Sequence, residues 1–249
     1  MPEVRGILKP TITRSTDLPR CFNMLLGTLY NVAAITVGTL VGLMLKQRLP
    51  ERMNSIAIQA IGLVVALIGI KMMIATENIL VVLLSTVIGG ILGELLRVET
   101  RLDAFGAKVE ARFSKEGGTF AKAFVTSSLL YCVGPMAILG ALQDGLRGDF
   151  SILLTKSGLD GILSVAFAST LGIGVLFSTM PVAAYQGSIA IGASLLEPYL
   201  STSIINEVTA TGGLLILGIA LNILQVTKIK VGNLLPAILI AAIISGVLL

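Results

Sequence analysis

Long apolar blocks separated by short polar connections dominate the chain. A run of about 20 mostly apolar residues, wound as an α-helix, matches the thickness of bilayer hydrocarbon. Eight runs approach that length: Leu25–Leu45, Ile56–Ile74, Ile79–Leu96, Phe120–Leu142, Ser157–Phe177, Pro181–Leu196, Ile204–Leu224 and Val231–Leu249. The sixth has 16 residues, which is short for a crossing, so it is expected to be a broken or re-entrant helix, with seven crossings as the alternative to eight. The pattern predicts an all-α polytopic membrane protein: a polar N-terminal extension over residues 1–23 and a single transmembrane domain over residues 24–249.

The polar connections set the orientation. Lys46, Arg48 and Arg52 occupy the first; Arg97, Arg101, Lys108, Arg112, Lys115 and Lys122 the third; Lys228 and Lys230 the seventh. With eight crossings these share one side, which the positive-inside rule assigns to the cytoplasm, and both termini then lie outside. The extension, with Arg5, Lys9, Arg14 and Arg20, opposes an outside N-terminus, a conflict that vanishes if the chain starts at Met24. It lacks the apolar run of a secretory signal, so it reads as a start-site extension or a disordered arm. In the connection over residues 98–119, Leu102, Phe105, Val109 and Phe113 recur at helical spacing. An amphipathic helix along the interface is expected there, as a solvated linker before a partner-binding surface.

An internal repeat is discernible. Val32-Ala33-Ala34 with Gly42 matches Val182-Ala183-Ala184 with Gly192 at an offset of 150, and Gly69-Ile70 with Ile74 matches Gly218-Ile219 with Ile223 at an offset of 149. Segments over residues 24–97 and 181–249 would then be inverted three-helix repeats, an arrangement common in secondary transporters, flanking a central helix pair over residues 120–178.

Composition agrees with the membrane reading: 55% hydrophobic residues, 13% charged and a mean hydropathy of +0.94. The absence of histidine removes histidine-based metal, haem and triad chemistry. No phosphate-binding glycine loop is present, and no metal or cofactor is expected. The net charge of +4 is distributed among the loops without an aromatic-interleaved basic patch, so nucleic acid is not the expected partner. The two cysteines, Cys21 and Cys132, fall in tail and span and are read as free thiols.

Candidate chemistry concentrates in residues 126–160. Gly134-Pro135 interrupts the fourth run, because proline supplies no amide hydrogen and clashes with the preceding turn, and broken membrane helices expose backbone groups that can coordinate an ion. Ser128 and Cys132 precede the break by one turn spacing. Beyond it come Asp144, Asp149, Lys156, Ser157 and Asp160. Lys156 and Asp160 are four apart on one helical face and can pair, and ionisable groups inside a bilayer are functional candidates by default. Asn31, Tyr185 and Gln186 add neutral polar groups, the two amides neighbouring each other in the repeat frame. Against each stands a structural alternative: a proline kink satisfied by neighbouring helices, an interfacial ion pair, and amides that glue helices together. Glu94 near Arg97, and Lys71, read as structural groups at span ends.

The runs Cys132-Val-Gly134, Met136-Ala-Ile, Gln143-Asp144-Gly145-Leu, Gly148-Asp149, Thr155-Lys156-Ser157 and Leu159-Asp160-Gly161 resemble the domain-of-unknown-function 554 family of bacterial membrane proteins. So do Phe167-Ala-Ser169, Tyr185-Gln186-Gly187, Gly212-Gly213-Leu-Leu-Ile and Val231-Gly-Asn233-Leu-Leu-Pro236. The resemblance covers nearly all of 24–249 and implies an integral protein of the bacterial inner membrane, in a family often described as transport proteins. It carries no activity. The expected function is a transporter or channel for a small ion or polar solute, with the lipid bilayer as its solvent and glycine-rich faces that would allow a homodimer. The alternatives are a non-transporting scaffold or sensor working through residues 97–122 and, third, a membrane-embedded hydrolase.

Overall fold

A computed structural model describes residues 25–46, 51–113 and 120–248. The polar extension over 1–23 and the loop residues Arg48 and Lys115 lie outside the described residues. Thirteen α-helices follow one another among the described residues: α1 (Leu26–Lys46), α2 (Glu51–Met73), α3 (Ile79–Leu95), α4 (Val98–Phe113), α5 (Phe120–Cys132), α6 (Pro135–Arg147), α7 (Ser151–Leu171), α8 (Gly174–Phe177), α9 (Thr179–Ile191), α10 (Ala193–Leu196), α11 (Thr202–Ile223), α12 (Val231–Leu234) and α13 (Pro236–Leu248). A 3₁₀ turn, Glu197–Tyr199, precedes α11.

Five stretches are long and apolar enough to cross a membrane unaided: Leu26–Lys46, Ser55–Met73, Ser151–Leu171, Gly174–Ile191 and Thr202–Ile223. Two helix pairs, α3 with the start of α4 and α5 with α6, pass the same test as units bent by 59° each, and Val231–Val247 is a shorter apolar helix. The chain is therefore an all-α polytopic membrane protein.

Two boundaries differ from the pattern-based expectation. The fifth span begins at Ser151 rather than Ser157, because the Asp149 carboxylate accepts both the backbone N–H (3.0 Å) and the hydroxyl (2.6 Å) of Ser151 and starts the helix early. The sixth begins at Gly174 rather than Pro181, which lies within the first turn of α9, where a missing amide hydrogen costs little.

Close backbone contacts fix the directions of the helices. A side chain at Gly27, Gly38 or Gly42 of α1 would meet Leu153, the Gly161 carbonyl or the Val165 carbonyl of α7; both numbers rise together, so these helices are parallel. Gly62 faces Leu224 and Gly69 faces Leu217, so α2 and α11 are antiparallel. Gly89 meets Ala237 and Gly93 the Asn233 carbonyl, so α3 runs antiparallel to α12–α13. Gly174 meets Phe120 and Gly145 meets Ala190, which makes the bent α5–α6 unit parallel to α8–α9. These relative directions are compatible with alternating crossings, and the described helices provide five unaided spans, or up to seven with the two bent pairs.

The core sits around α11, 72% of whose span is buried, while α2, 17% buried, turns its side chains outward. Membrane helices gain no hydrophobic drive from one another, so the small residues at these crossings supply the packing. The basic connections meet at one end: Lys46 reaches Gly172, Lys122 donates to the Asn222 carbonyl, and Lys230 lies 3.4 Å from Glu94. Helix α4 docks at this basic face, with the Phe105 ring against those of Phe120 and Phe124. Of the amphipathic pattern, the Val109 and Phe113 side chains lie outside the described ones.

Candidate functional site

The helix break is the local event that shapes the interior. Gly134 has φ 140° and ψ 151°, a conformation that L side chains rarely adopt, and Pro135 opens α6 with the φ that a first turn requires. Cys132 ends α5, and its buried neighbour Val133 presses on Gly212 of α11. Just before the break, the hydroxyls of Thr126, Ser127 and Ser128 have no hydrogen-bond partner among the described residues.

Around α7 the polar side chains converge. Lys156 Nζ donates to Asp160 Oδ2 at 2.6 Å, and Asn31 Nδ2 of α1 donates to the same oxygen at 3.0 Å. The second Asn31 amide hydrogen points to Gln186 Oε1 of α9 at 3.4 Å. The Lys156 ammonium also stands 5.9 Å from the centre of the Tyr131 ring of α5, within the range of a cation–π attraction. Tyr131 in turn shares a 2.8 Å hydrogen bond with Ser164, one turn beyond Asp160. Four spans thus contribute to one cluster. It is buried, with Lys156 6% and Asp160 3% exposed, and because α7 begins at Ser151, Asp160 lies at mid-helix.

Two atoms in the cluster, Asn31 Oδ1 and Gln186 Nε2, have no partner among the described residues. One is an acceptor and one a donor, beside a carboxylate and an ammonium. The arrangement can hold a small polar solute, or a cation that competes with Lys156 for Asp160. Among the described residues no three potential metal-ligating side chains gather.

The other sequence-predicted residues lie elsewhere or serve locally. Asp144, fully buried, accepts the Gly27 N–H at 2.9 Å, placing a carboxylate at the N-terminus of α1 where the helix dipole favours it. Its second oxygen has no partner among the described residues. Asp149 is in the α6–α7 turn, away from the cluster, and its hydrogen bonds from Ser151 hold its carboxyl below the usual carboxylate range. The Ser157 hydroxyl turns back to the Leu153 carbonyl. Cys132, a free thiol, and Tyr185 lie in α5 and α9, and among the described residues neither hydrogen-bonds to Asp160.

Three polar anchors escaped the sequence reading. Tyr131, fully buried, was hidden in an apolar run, although a tyrosine there always needs a partner for its hydroxyl. Glu207 of α11 accepts the Thr76 hydroxyl and the amides of Glu77 and Asn78, closing the α2–α3 turn. Asn233 links α3, α4 and α12 by donating to Glu94 and accepting the Glu99 amide; Glu94 pairs with it and with Lys230 rather than with Arg97.

A family model described as a protein of unknown function, DUF554, matches residues 26–246. The chain belongs to this family. Among its relatives, an uncharacterized membrane protein, YdfK, of Bacillus subtilis is 35% identical over 224 residues, covering 88% of this chain and 94% of that protein. An uncharacterized protein, YqgA, of Escherichia coli is 33% identical over 228 residues, covering 90% and 97%. No solved structure matches the chain significantly. The family match spans every helix from α1 through most of α13, so the four cluster residues all fall within it.

Proposed function

We propose that the chain is a transporter or channel for a small ion or polar solute, with its pathway passing the Lys156–Asp160–Asn31–Gln186 cluster. The observation that carries this reading is a buried charged pair at the middle of a membrane-length helix, whose surrounding amides retain an unused acceptor and an unused donor among the described residues. A charged side chain at the bilayer centre costs about 2.5–3.5 kcal/mol on insertion scales, so an ion pair there needs a purpose that an apolar pair would not serve.

The helix arrangement supports the same reading. Spans α2 and α3 pack antiparallel on α11 and α12–α13, their counterparts at an offset near 150, as elements of inverted repeats would. Asn31 and Gln186, one from each repeat, meet in the cluster. Alternating access would rock one repeat against the other about this point, with the lysine-bearing face in the cytoplasm of a bacterial inner membrane and both ends outside. The scaffold reading gains less support, since the Phe105 ring of α4 already packs against Phe120 and Phe124.

Ser164, one turn from Asp160, tests whether the cluster communicates with water. In a background of Cys21→Ser and Cys132→Ala, Ser164→Cys is expected to react with a membrane-impermeant thiol reagent in the folded, reconstituted protein. Complete protection from both faces would rule the pathway out.

A further inference from the structure

A second polar site lies at the basic face, on the other side of α5 from the cluster. Tyr131 and Ser164 join α5 to α7, whereas Thr126 of α5 faces a cavity of about 330 Å³ between α4, α5, α11 and the connection to α12. Its walls include Leu102, Val125, Ile219 and Val231, and its rim carries Lys122, Lys228 and Lys230. It lies where α5 begins and α11 ends, at the level of the membrane–water boundary.

Three lysines and two acids line the cavity. Lys122, half-buried, donates to the neutral Asn222 carbonyl at 3.3 Å, and no carboxylate among the described residues pairs with it. Lys228 has no partner among the described residues, while Lys230 is held near Glu94. Of the two acids on the wall, Glu99 is engaged by the Gly232 amide at 2.5 Å, and burial raises its carboxyl above the usual range. Asp103 is exposed at the rim. At the floor, Thr126 is 2% exposed and its hydroxyl has no partner among the described residues. A buried, unused hydroxyl beneath an unneutralised ammonium, between apolar walls, is the chemistry of a site for an anion attached to an apolar body.

We infer that this cavity binds an anionic phosphate group, held by Lys122, Lys228 and the Thr126 hydroxyl. Two sources share this chemistry: the headgroup of an anionic phospholipid, whose acyl chains would follow the apolar wall, and free phosphate.

Native mass spectrometry and thermal unfolding of the full chain in detergent test the site with three probes: phosphatidylglycerol, phosphatidylcholine and inorganic phosphate alone. Phosphatidylglycerol is expected to be retained and to stabilise the protein over phosphatidylcholine. Lys228→Gln, at an exposed position that spares the fold, should weaken retention about fivefold, and Lys122→Gln by a similar factor, in line with the electrostatic contribution of one lysine near a membrane surface. Lys122→Arg should preserve most of it. Stabilisation by inorganic phosphate alone, lost in the same variants, would assign the site to the free ion; its absence would assign it to the lipid. Equal retention of both lipids, or Lys228→Gln and Lys122→Gln proteins that bind as the wild type does, would overturn the proposal.

Discussion

Asp160 accepts two donors at one oxygen, and that carboxylate is the only ion-pair partner of Lys156 among the described residues. Removing one member of a buried pair leaves the other uncompensated. Asp160→Asn is therefore expected to lower stability by about 3–5 kcal/mol, and combining it with Lys156→Met should recover most of that loss. Thermal unfolding in detergent of the single and double variants decides the matter; a double variant no more stable than the single would mean that the pair is not the unit. The spacing of four made this pairing readable from the sequence, because a helix brings such positions together. The depth of the pair was not readable. Asp149 and Lys156 look like loop charges, yet the first accepts the Ser151 amide and hydroxyl just ahead of α7 and the second is neutralised within it, so the helix starts earlier and Asp160 moves to its middle. At the opposite extreme, the Asp144 contact with Gly27 joins residues 117 apart, and no local pattern announces it.

Among the elements, α1 and α7 pack along their length through glycine. Gly38 abuts the carbonyl of Gly161, a backbone atom that cannot swing aside. Gly38→Val should cost about 1–3 kcal/mol through overpacking, read as a fall in the unfolding midpoint, whereas the same change at Gly158, which has open space, should cost far less. Helix α4 offers a pH test. Burial raises the Glu99 carboxyl above 4.5, with the Gly232 and Asn233 amides opposing the shift. Its protonated form is thus favoured on folding: the contribution is fully present below 4.5 and is lost as pH rises through the higher folded value. Hydrogen-exchange protection in α4, corrected for the pH dependence of intrinsic amide exchange, should fall across that window in the wild type and lose this dependence in Glu99→Gln; an unchanged pH response would remove Glu99 from the docking. The amphipathic spacing of Leu102 and Phe105 announced this helix, but its anchor to α12 is a long-range hydrogen bond that periodicity does not encode.

For the whole molecule, the apolar runs announced the architecture because a membrane requires backbone groups to be satisfied within helices, and over the described residues all eight runs are predominantly helical, with breaks at Gly134 and Gly172. The pairing of the crossings had to come from the structure: α1 with α7, α2 with α11 and α3 with α13 are set by where glycines permit backbone contact. That pairing gathers residues from α1, α5, α7 and α9 around Asp160, and transport through this point is the central claim. The direct measurement is flux of candidate ions and small polar solutes in proteoliposomes, comparing wild type, the Lys156→Met and Asp160→Asn double variant, and Asp149→Asn as a control outside the cluster. A solute that crosses with the wild type and the control but not with the folded double variant is the predicted result. Equal flux through the wild type and that double variant would contradict it.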